Sequence, residues 1–132
     1  MNLATLIAKR AEEGRPIRVG MIGAGKFGTM FLAQAERQRG IHIIGICDLN
    51  PEATRSNLAL ANWNLERYAA KSLDVAAKNG TTHVGDNWEA LVNHPAVEII
   101  IECTGNPMAA VTHILRAFDQ GKHVINATVE AD

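Results

Sequence analysis

The sequence predicts an α/β fold with one doubly wound, mainly parallel sheet in a single domain. Apolar runs alternate with helical stretches along the 132 residues. The runs are almost continuously apolar, which is typical of parallel strands covered on both faces. A chain of this length also suits one domain. Because parallel strands are joined by right-handed crossovers, the expected strand order is 3-2-1-4-5.

Each element is predicted from its apolar periodicity and from the residues that start or end it. The predicted strands are residues 17–22, 41–47, 81–84, 97–101 and 123–125. The predicted helices are residues 3–11 and 26–37, one beginning at Pro51, 65–78, a short one after Asp86, and 107–118. Asn50-Pro51 and Asn106-Pro107 favour helix starts, because Asn caps free amides and Pro fits the first turn. Asp86 and Glu89 have the spacing of a capping box.

Composition and charge exclude several classes of protein. Thirteen Lys and Arg against fourteen Asp and Glu give a formal charge of −1, so no basic excess indicates a nucleic-acid partner. The apolar runs are far shorter than the roughly 18–20 residues that span a bilayer. Cys47 and Cys103 are too few for a disulfide framework, and Cys103 is expected to be a small buried apolar residue and not a nucleophile. The composition therefore predicts a cytoplasmic globular domain, with no membrane partner.

The strongest chemical signal is a GxGxxG motif, formed by Gly23-Ala24-Gly25-Lys26-Phe27-Gly28. It directly follows the first predicted strand and begins the next helix. In such a turn the first glycine allows the tight bend, the second lets a phosphate approach the backbone, and the third lets the helix pack closely on the sheet. The free amides and the positive helix end then face a pyrophosphate. The motif predicts a Rossmann dinucleotide site, and a strand–helix turn without a ligand is the alternative.

A carboxylate in the second strand–helix loop supports this interpretation. Asp48 follows the second strand, twenty residues after Gly28, where a carboxylate can accept hydrogen bonds from the adenosine ribose. Its charge would repel a 2′-phosphate and so favours NAD(H) over NADP(H). Arg55 could reach a 2′-phosphate instead, although a solvated helix residue is its more ordinary role. The sequence leaves both cofactors open.

The loops after the fourth and fifth strands are expected to contact the rest of the dinucleotide, because ligands of such sheets cross the strand ends where the strand order reverses. Thr104 offers a hydroxyl group and Gly105 allows close backbone approach. Asn126 is expected near the nicotinamide. Glu130 and Asp132 are weak candidates for acid–base groups or metal ligands, with solvated carboxylates as the alternative. The histidines lack the spacing of a zinc site, so no zinc site is predicted.

Four segments together resemble the N-terminal domain of the homoserine-dehydrogenase-like NAD(P) oxidoreductases. They are IRVGMIGAGKFGTMF, ICDLNPE, IIIECTGNP and GKHVINATVEAD, and the resemblance extends over residues 15–132. It is greatest to the branch with a C-terminal SAF-type domain. That branch includes reductoisomerase-like enzymes, which convert 1-deoxy-D-xylulose 5-phosphate into methylerythritol 4-phosphate with NADPH. The resemblance implies a pyrophosphate held by Gly23, Gly25, Lys26, Phe27 and Gly28, a ribose at Asp48, the middle of the cofactor at Thr104 and Gly105, and the nicotinamide near Asn126.

Two departures separate the sequence from neighbouring groups. Homoserine dehydrogenases usually carry a functional lysine after the last strand, where this chain has Val129. Sugar dehydrogenases of the glucose–fructose oxidoreductase type end that strand in Glu-Lys-Pro, which is absent here. The departures favour a reductoisomerase-like enzyme of isoprenoid precursor synthesis. The alternatives are a homoserine-dehydrogenase-like enzyme and a module that senses a dinucleotide without catalysing a reaction.

The predicted organisation is an N-terminal helical segment over residues 1–14 and a dinucleotide-binding domain over residues 15–132. These elements leave no residues for a substrate pocket, so we expect a catalytic domain after Asp132. That domain would bind a phosphorylated sugar or an amino-acid-like substrate and would supply any divalent metal. The 132 residues alone are expected to bind NAD(H) or NADP(H) without turnover, and a homo-oligomer is compatible with the sequence.

Overall fold

A computed structural model describes residues 2–128 of the chain. Five parallel strands form one sheet in the order β3-β2-β1-β4-β5. The strands are β1 (Ile17–Ile22), β2 (Ile41–Cys47), β3 (His83–Gly85), β4 (Ile99–Glu102) and β5 (His123–Asn126). The helices are α1 (Leu3–Glu12), α2 (Lys26–Ala35), α3 (Pro51–Leu60), α4 (Leu73–Asn79), α5 (Trp88–Asn93) and α6 (Pro107–Asp119). The predicted α/β class, strand order and single domain are confirmed.

The strand ends are aligned at one edge of the sheet. Ile22, the last residue of β1, pairs with Cys47 of β2 on one side and with Glu102 of β4 on the other. Glu102 in turn pairs with Asn126 of β5. The loops that follow these strands therefore lie side by side along the carboxyl edge.

Two apolar layers cover the sheet, one on each face. The side chains of Met21 and Ile22 point to opposite faces, as neighbouring residues of a strand do. The layer formed with α2 and α3 contains Val19, Met21, Leu32, Ile43, Ile46, Leu58, Trp63, Val84 and Ile101. The layer formed with α4, α5 and α6 contains Ile22, Ile44, Cys47, Ala76, Leu91, Val92, Val97, Ile100 and Ala117. Burial on both faces explains why the strands are almost continuously apolar.

The predicted helix over residues 65–78 is correct only for its second half. Leu65–Arg67 forms only a 3-10 turn, and α4 begins at Leu73. Between them the backbone bonds to the residue before β3: the amide of Thr82 donates to the carbonyl of Arg67 at 2.7 Å, and the amide of Ala70 donates to the carbonyl of Thr82 at 3.3 Å. These tertiary hydrogen bonds occupy groups that a continuous helix would have used within itself.

The predicted capping box before α5 is also wrong. The cap is Asn87, one residue after Asp86, and its side chain accepts a hydrogen bond from the amide of Ala90 at 3.0 Å. Asn and Asp are equally good caps, so the sequence alone could not distinguish these neighbours.

Helix α6 packs on the sheet through small residues. Ala110 and Ala117 are fully buried, and His113 between them is 7% exposed. The larger apolar residues that the sequence places along this helix are mostly outward: Val111 is 46%, Leu115 62% and Phe118 60% exposed. The short side chains bring α6 close to β4 and β5. In the described part of the chain, none of the helices has both the length and the apolar content needed to cross a membrane.

Candidate cofactor-binding site

The carboxyl edge of the sheet carries a cleft of about 550 Å³. Ligand pockets typically have volumes of about 300–1000 Å³. Five of the predicted cofactor residues line the cleft, namely Gly23, Ala24, Gly25, Asp48 and Thr104. Asp86, Trp88 and His113 also line it. The structure thus brings the loops after β1, β2 and β4 to one concave surface.

Gly23 forms the contact between the loops that follow β1 and β4. Its φ is +85°, and a Cβ atom there would lie 2.7 Å from backbone atoms of Cys103 and Thr104. Its amide donates to the carbonyl of Cys47 at 2.7 Å. A side chain at this position would therefore clash with backbone, and the backbone conformation itself disfavours other residues.

The start of α2 differs from the starts of the other α-helices in residues 2–128. In each of those five helices, the side chain of the N-cap residue accepts a hydrogen bond from an amide of the first turn. The N-cap residues are Asn2, Asn50, Ser72, Asn87 and Asn106. Helix α2 begins at Gly25 with no side-chain cap. A Cβ atom on Gly25 would have no neighbour within 4 Å. The first amides of α2 thus lack a side-chain acceptor at a glycine that borders the cleft, which suits an anion.

The rest of the glycine-rich segment fixes α2 on the sheet. A Cβ atom on Gly28 would lie 3.3 Å from the carbonyl oxygen of Gly23 and 3.6 Å from Cε of Met21. Glycine at this position allows the helix to approach β1 closely, as the motif predicts. Lys26 and Phe27 form the first turn of α2, and their side chains lie outside the described part of the structure.

Asp48 is held against the glycine-rich turn. Its Oδ2 accepts a hydrogen bond from the amide of Ala24 at 2.9 Å, and its Oδ1 accepts one from the amide of Asn50 at 3.1 Å. Arg55 lies farther along α3, where its guanidinium bonds to Glu52 and donates to the carbonyl of Val84 at 2.9 Å. The carboxylate therefore lies on the cleft, whereas Arg55 is bound to groups outside the cleft lining.

The two thiols are unsuited to nucleophilic chemistry. Burial and the neighbouring carboxylates of Asp48 and Asp86 raise the pKa of Cys47 to about 12. Burial and the carboxylate of Glu102 raise the pKa of Cys103 to about 12. A thiol with such a pKa is protonated near neutral pH. Cys103 is therefore an unreactive thiol of the cleft wall, and it is half-buried where full burial was predicted.

A buried carboxylate at the end of β4 is a feature that the sequence analysis did not single out. Glu102 has 0% exposure. Its Oε1 accepts hydrogen bonds from the amide and the hydroxyl of Thr104, at 2.7 and 2.5 Å, and its Oε2 lies 2.5 Å from Nδ1 of His113. Burial alone would raise the pKa of Glu102, but the hydrogen bonds from His113 and Thr104 outweigh it and hold the pKa below its usual value. The available signal was a charged residue at the end of an otherwise apolar strand.

Gly105 and Asn126, the residues predicted near the middle and the nicotinamide end of the cofactor, form hydrogen bonds that hold the loops after β4 and β5. The amide of Gly105, whose φ is +70°, donates to Oγ1 of Thr128 at 3.0 Å. Asn126 is half-buried, and its Oδ1 accepts from the amide of Thr128 at 2.9 Å. Neither Gly105 nor Asn126 is among the residues that line the cleft. The N-terminus of α6, which borders the cleft, has a side-chain cap from its own Asn106.

Glu130 and Asp132 lie outside the described residues, as does Val129. Within residues 2–128, no group of three or more His, Cys, Asp or Glu side chains could hold a metal ion.

The sheet order, the glycine-rich turn and the carboxylate after β2 define the class of this protein as a dinucleotide-binding Rossmann domain. Residues 17–126 match the model of the GFO_IDH_MocA family, described as an oxidoreductase family with an NAD-binding Rossmann fold. The chain belongs to this family. The predicted membership of an NAD(P)-binding oxidoreductase family is thereby confirmed.

Similar proteins include two homoserine dehydrogenases. The one from Methylobacillus glycogenes is 29% identical over 115 residues, which cover 86% of this chain and 25% of that protein. The crystal structure of the one from Thiobacillus denitrificans has a TM-score of 0.62 and 21% identity over 88% of this chain and 24% of that chain. Biliverdin reductase from Synechocystis, solved with biliverdin and NADP⁺, has a TM-score of 0.61 and 18% identity over 84% of this chain and 29% of that chain. The chain thus spans about a quarter of the length of these relatives.

The finer assignment to the SAF-domain, reductoisomerase-like branch gains no support from these relatives. They support the coarser assignment to NAD(P)-binding oxidoreductases and, in part, the resemblance to homoserine dehydrogenase. The family match holds although the Glu-Lys-Pro segment is absent from this chain.

Proposed function

We propose that this chain binds the cofactor of an NAD(P)-dependent oxidoreductase, with the pyrophosphate at the start of α2. The observation that carries the proposal is that α2 begins without a side-chain cap at Gly25, on the cleft wall. A phosphate there would accept hydrogen bonds from backbone amides that have no side-chain acceptor.

The roles of the glycine-rich residues follow from their contacts. Gly23 makes the turn, and Gly28 lets α2 pack against β1. Gly25 and the backbone of Lys26 and Phe27 would bind the pyrophosphate, and Ala24, whose amide donates to Asp48, would line the cleft beside it. The bound cofactor would supply hydride transfer, and the residues of this chain would orient it.

Asp48 would bind the adenosine ribose and favour NAD(H). Its two oxygens already accept backbone hydrogen bonds, which fix the carboxylate beside the turn and leave further lone pairs for ribose hydroxyls. Asp86 lines the same cleft, so a second carboxylate would also repel a 2′-phosphate.

Thr104, Gly105 and Asn126 would shape the part of the cleft next to the nicotinamide. The amides of Thr104 and Gly105 and the side-chain oxygen of Asn126 are engaged within the protein. We therefore expect Thr104, which lines the cleft, to contact the cofactor by packing, and Gly105 and Asn126, which do not line it, to hold the surrounding loops in place. Glu130 and Asp132 stay candidates for acid–base roles.

The substrate we propose is a small amino-acid-like carbonyl compound or alcohol. The sequence similarity to homoserine dehydrogenase over 86% of the chain supports it. A reductoisomerase-like activity on a phosphorylated sugar stays a prediction from sequence resemblance. Because the chain spans about a quarter of that relative's length, we expect this chain alone to bind cofactor without turnover.

Titration with NADH and NADPH tests the proposal. Trp88 lines the cleft and Trp63 is buried at 4% exposure, so we expect bound cofactor to quench the emission of Trp88. Calorimetry would give the dissociation constants independently. Absence of binding of either cofactor at millimolar concentration would contradict the proposed function.

A further inference from the structure

We propose that Glu102 is a positioning residue for the nicotinamide half of the site, acting with His113 through Thr104 and Thr128. The proposal rests on the proposed function, because it assigns a role within the same cleft. It adds a residue that neither the glycine-rich motif nor the family match singles out.

Glu102 joins three separate segments of the chain. Its Oε1 accepts from the amide and hydroxyl of Thr104 in the loop after β4, and from the hydroxyl of Thr128 after β5 at 3.1 Å. Its Oε2 contacts His113 on α6 at 2.5 Å. One buried carboxylate thus sets the relative positions of both loops and of the helix.

Two further amides are tied to the same carboxylate through hydroxyl groups. The amide of Gly105 donates to Oγ1 of Thr128 at 3.0 Å, and the amide of Asn106 donates to Oγ1 of Thr104 at 3.2 Å. Because each hydroxyl donates its own proton to Glu102, the backbone from 104 to 106 is held in one conformation. Charge-assisted hydrogen bonds of this kind are stronger than neutral ones.

The carboxylate also fixes the tautomer of His113. An ionised Glu102 can only accept, so Nδ1 of His113 must carry the proton that it donates. The ring of His113 lies with its centroid 4.6 Å from that of Trp88. Both rings line the cleft. The hydrogen bonds of Glu102 therefore orient the imidazole of His113 and the loop at Thr104, and both of these residues line the same cleft.

The position of this network in the sheet points to the nicotinamide. A dinucleotide crosses the carboxyl edge at the switch point, here between β1 and β4. Asp48 follows β2, on the proposed adenosine side, whereas Glu102 and Thr128 belong to β4 and the segment after β5. Burying a carboxylate costs free energy that an apolar residue would not. Glu102 lies directly behind Thr104 and His113, which line the cleft, and this position favours a role in the site.

The variants for the test are Thr128→Val, Thr128→Ser and Thr82→Val. Valine removes the hydroxyl that joins Gly105 to Glu102 and keeps the shape of the side chain. Serine keeps the hydroxyl. Thr82 is the matched control, because it is also 1% exposed and its hydroxyl donates to the carbonyl of Ile43, away from the cleft.

The measurement compares the dissociation constants of NADH and ADP. ADP has the adenosine and both phosphates but no nicotinamide riboside. We expect Thr128→Val to weaken NADH binding about tenfold and ADP binding less than about twofold. Thr128→Ser should restore NADH binding, and Thr82→Val should change neither constant, even if both valine variants lower the melting temperature.

Each other outcome has a definite meaning. Equal weakening of NADH and ADP, or no change in either, would overturn the positioning role. Equal affinity of the unaltered chain for NADH and ADP would overturn it as well, because the nicotinamide riboside would then make no contact near the network. Failure of the unaltered chain to bind ADP, NADH and NADPH would instead contradict the proposed function itself.

Discussion

Asp48 and Ala24 join the two loops that border the proposed adenosine and phosphate positions: the amide of Ala24 donates to Oδ2 of Asp48 at 2.9 Å. The carboxylate that is proposed to bind the ribose thus also fixes the turn proposed to bind the pyrophosphate. A change at Asp48 should therefore affect both parts of the cofactor, to different degrees.

Replacing Asp48 should reduce the preference for NADH. We expect Asp48→Ala to weaken NADH binding by tenfold or more, about 1.4 kcal/mol, because the ribose loses a charged acceptor. NADPH binding should weaken much less, because removal of the negative charge relieves repulsion of the 2′-phosphate. Calorimetric titration of both cofactors measures the ratio. Asp74→Ala is the matched control, since Asp74 has a 91% exposed side chain beside His94, outside the cleft lining. Equal losses for NADH and NADPH would rule out the ribose assignment.

Alanine at Gly25 and at Gly23 should have opposite consequences. Gly25→Ala should leave the melting temperature nearly unchanged, because its Cβ would meet nothing within 4 Å, yet weaken NADH binding by crowding the pyrophosphate. Gly23→Ala should lower the free energy of unfolding by about 2 kcal/mol or more, because its φ is +85° and its Cβ would clash with backbone. Urea unfolding and NADH titration separate the two effects. A Gly25→Ala variant that binds NADH normally would argue against a pyrophosphate at α2.

Stability should depend on pH through Glu102. Although burial opposes ionisation, the hydrogen bonds from His113 and Thr104 hold its folded-state pKa below the ordinary value of 4.5. The contribution of these bonds is therefore fully present above about pH 4.5 and is lost as pH falls through the folded-state pKa. We expect Glu102→Gln to be less stable at pH 7 by about 1.5–3 kcal/mol and to lose less stability on acidification. Urea midpoints at pH 7 and pH 4 measure this, and parallel curves for the two proteins would contradict it.

Neither thiol should react readily in the folded protein. With pKa values raised to about 12, about one thiol in ten thousand is ionised at pH 8. We expect iodoacetamide to label Cys47 and Cys103 only slowly until the protein is unfolded in urea. Cys103→Ala should keep NADH binding within about twofold. Fast labelling of Cys103 in the folded chain would contradict its raised pKa and would indicate a nucleophilic thiol.

The strands and the glycine-rich turn could be predicted because their signals are local. The bounds of β1 and β2 agree with their apolar runs, and the glycine motif needs only its neighbouring strand and helix for its interpretation. The break between residues 67 and 73 could not be predicted, because hydrogen bonds to Thr82 cause it. The choice of Asn87 over Asp86 as the cap of α5 could not be predicted either, because both residue types are good caps and stand next to each other.

The second half of the site was predictable only in outline. Strand order places the loop after β4 at the cleft, and Thr104 does line it. The pairing of Glu102 with His113 joins residues eleven positions apart on a strand and a helix. Its formation depends on how closely the small residues Ala110 and Ala117 let α6 approach the sheet. The distance between α6 and the sheet cannot be predicted from the periodicity of the sequence.

If the amides at the start of α2 bind the pyrophosphate as proposed, folding is coupled to the nucleotide concentration. Any ligand that satisfies those amides binds the folded chain and not the unfolded one, so it shifts the unfolding equilibrium by mass action. Each tenfold increase in free cofactor above its dissociation constant would add about 1.4 kcal/mol to the free energy of unfolding. With the pyrophosphate at Gly25 as proposed, the folded fraction of the chain would depend on how much dinucleotide surrounds it.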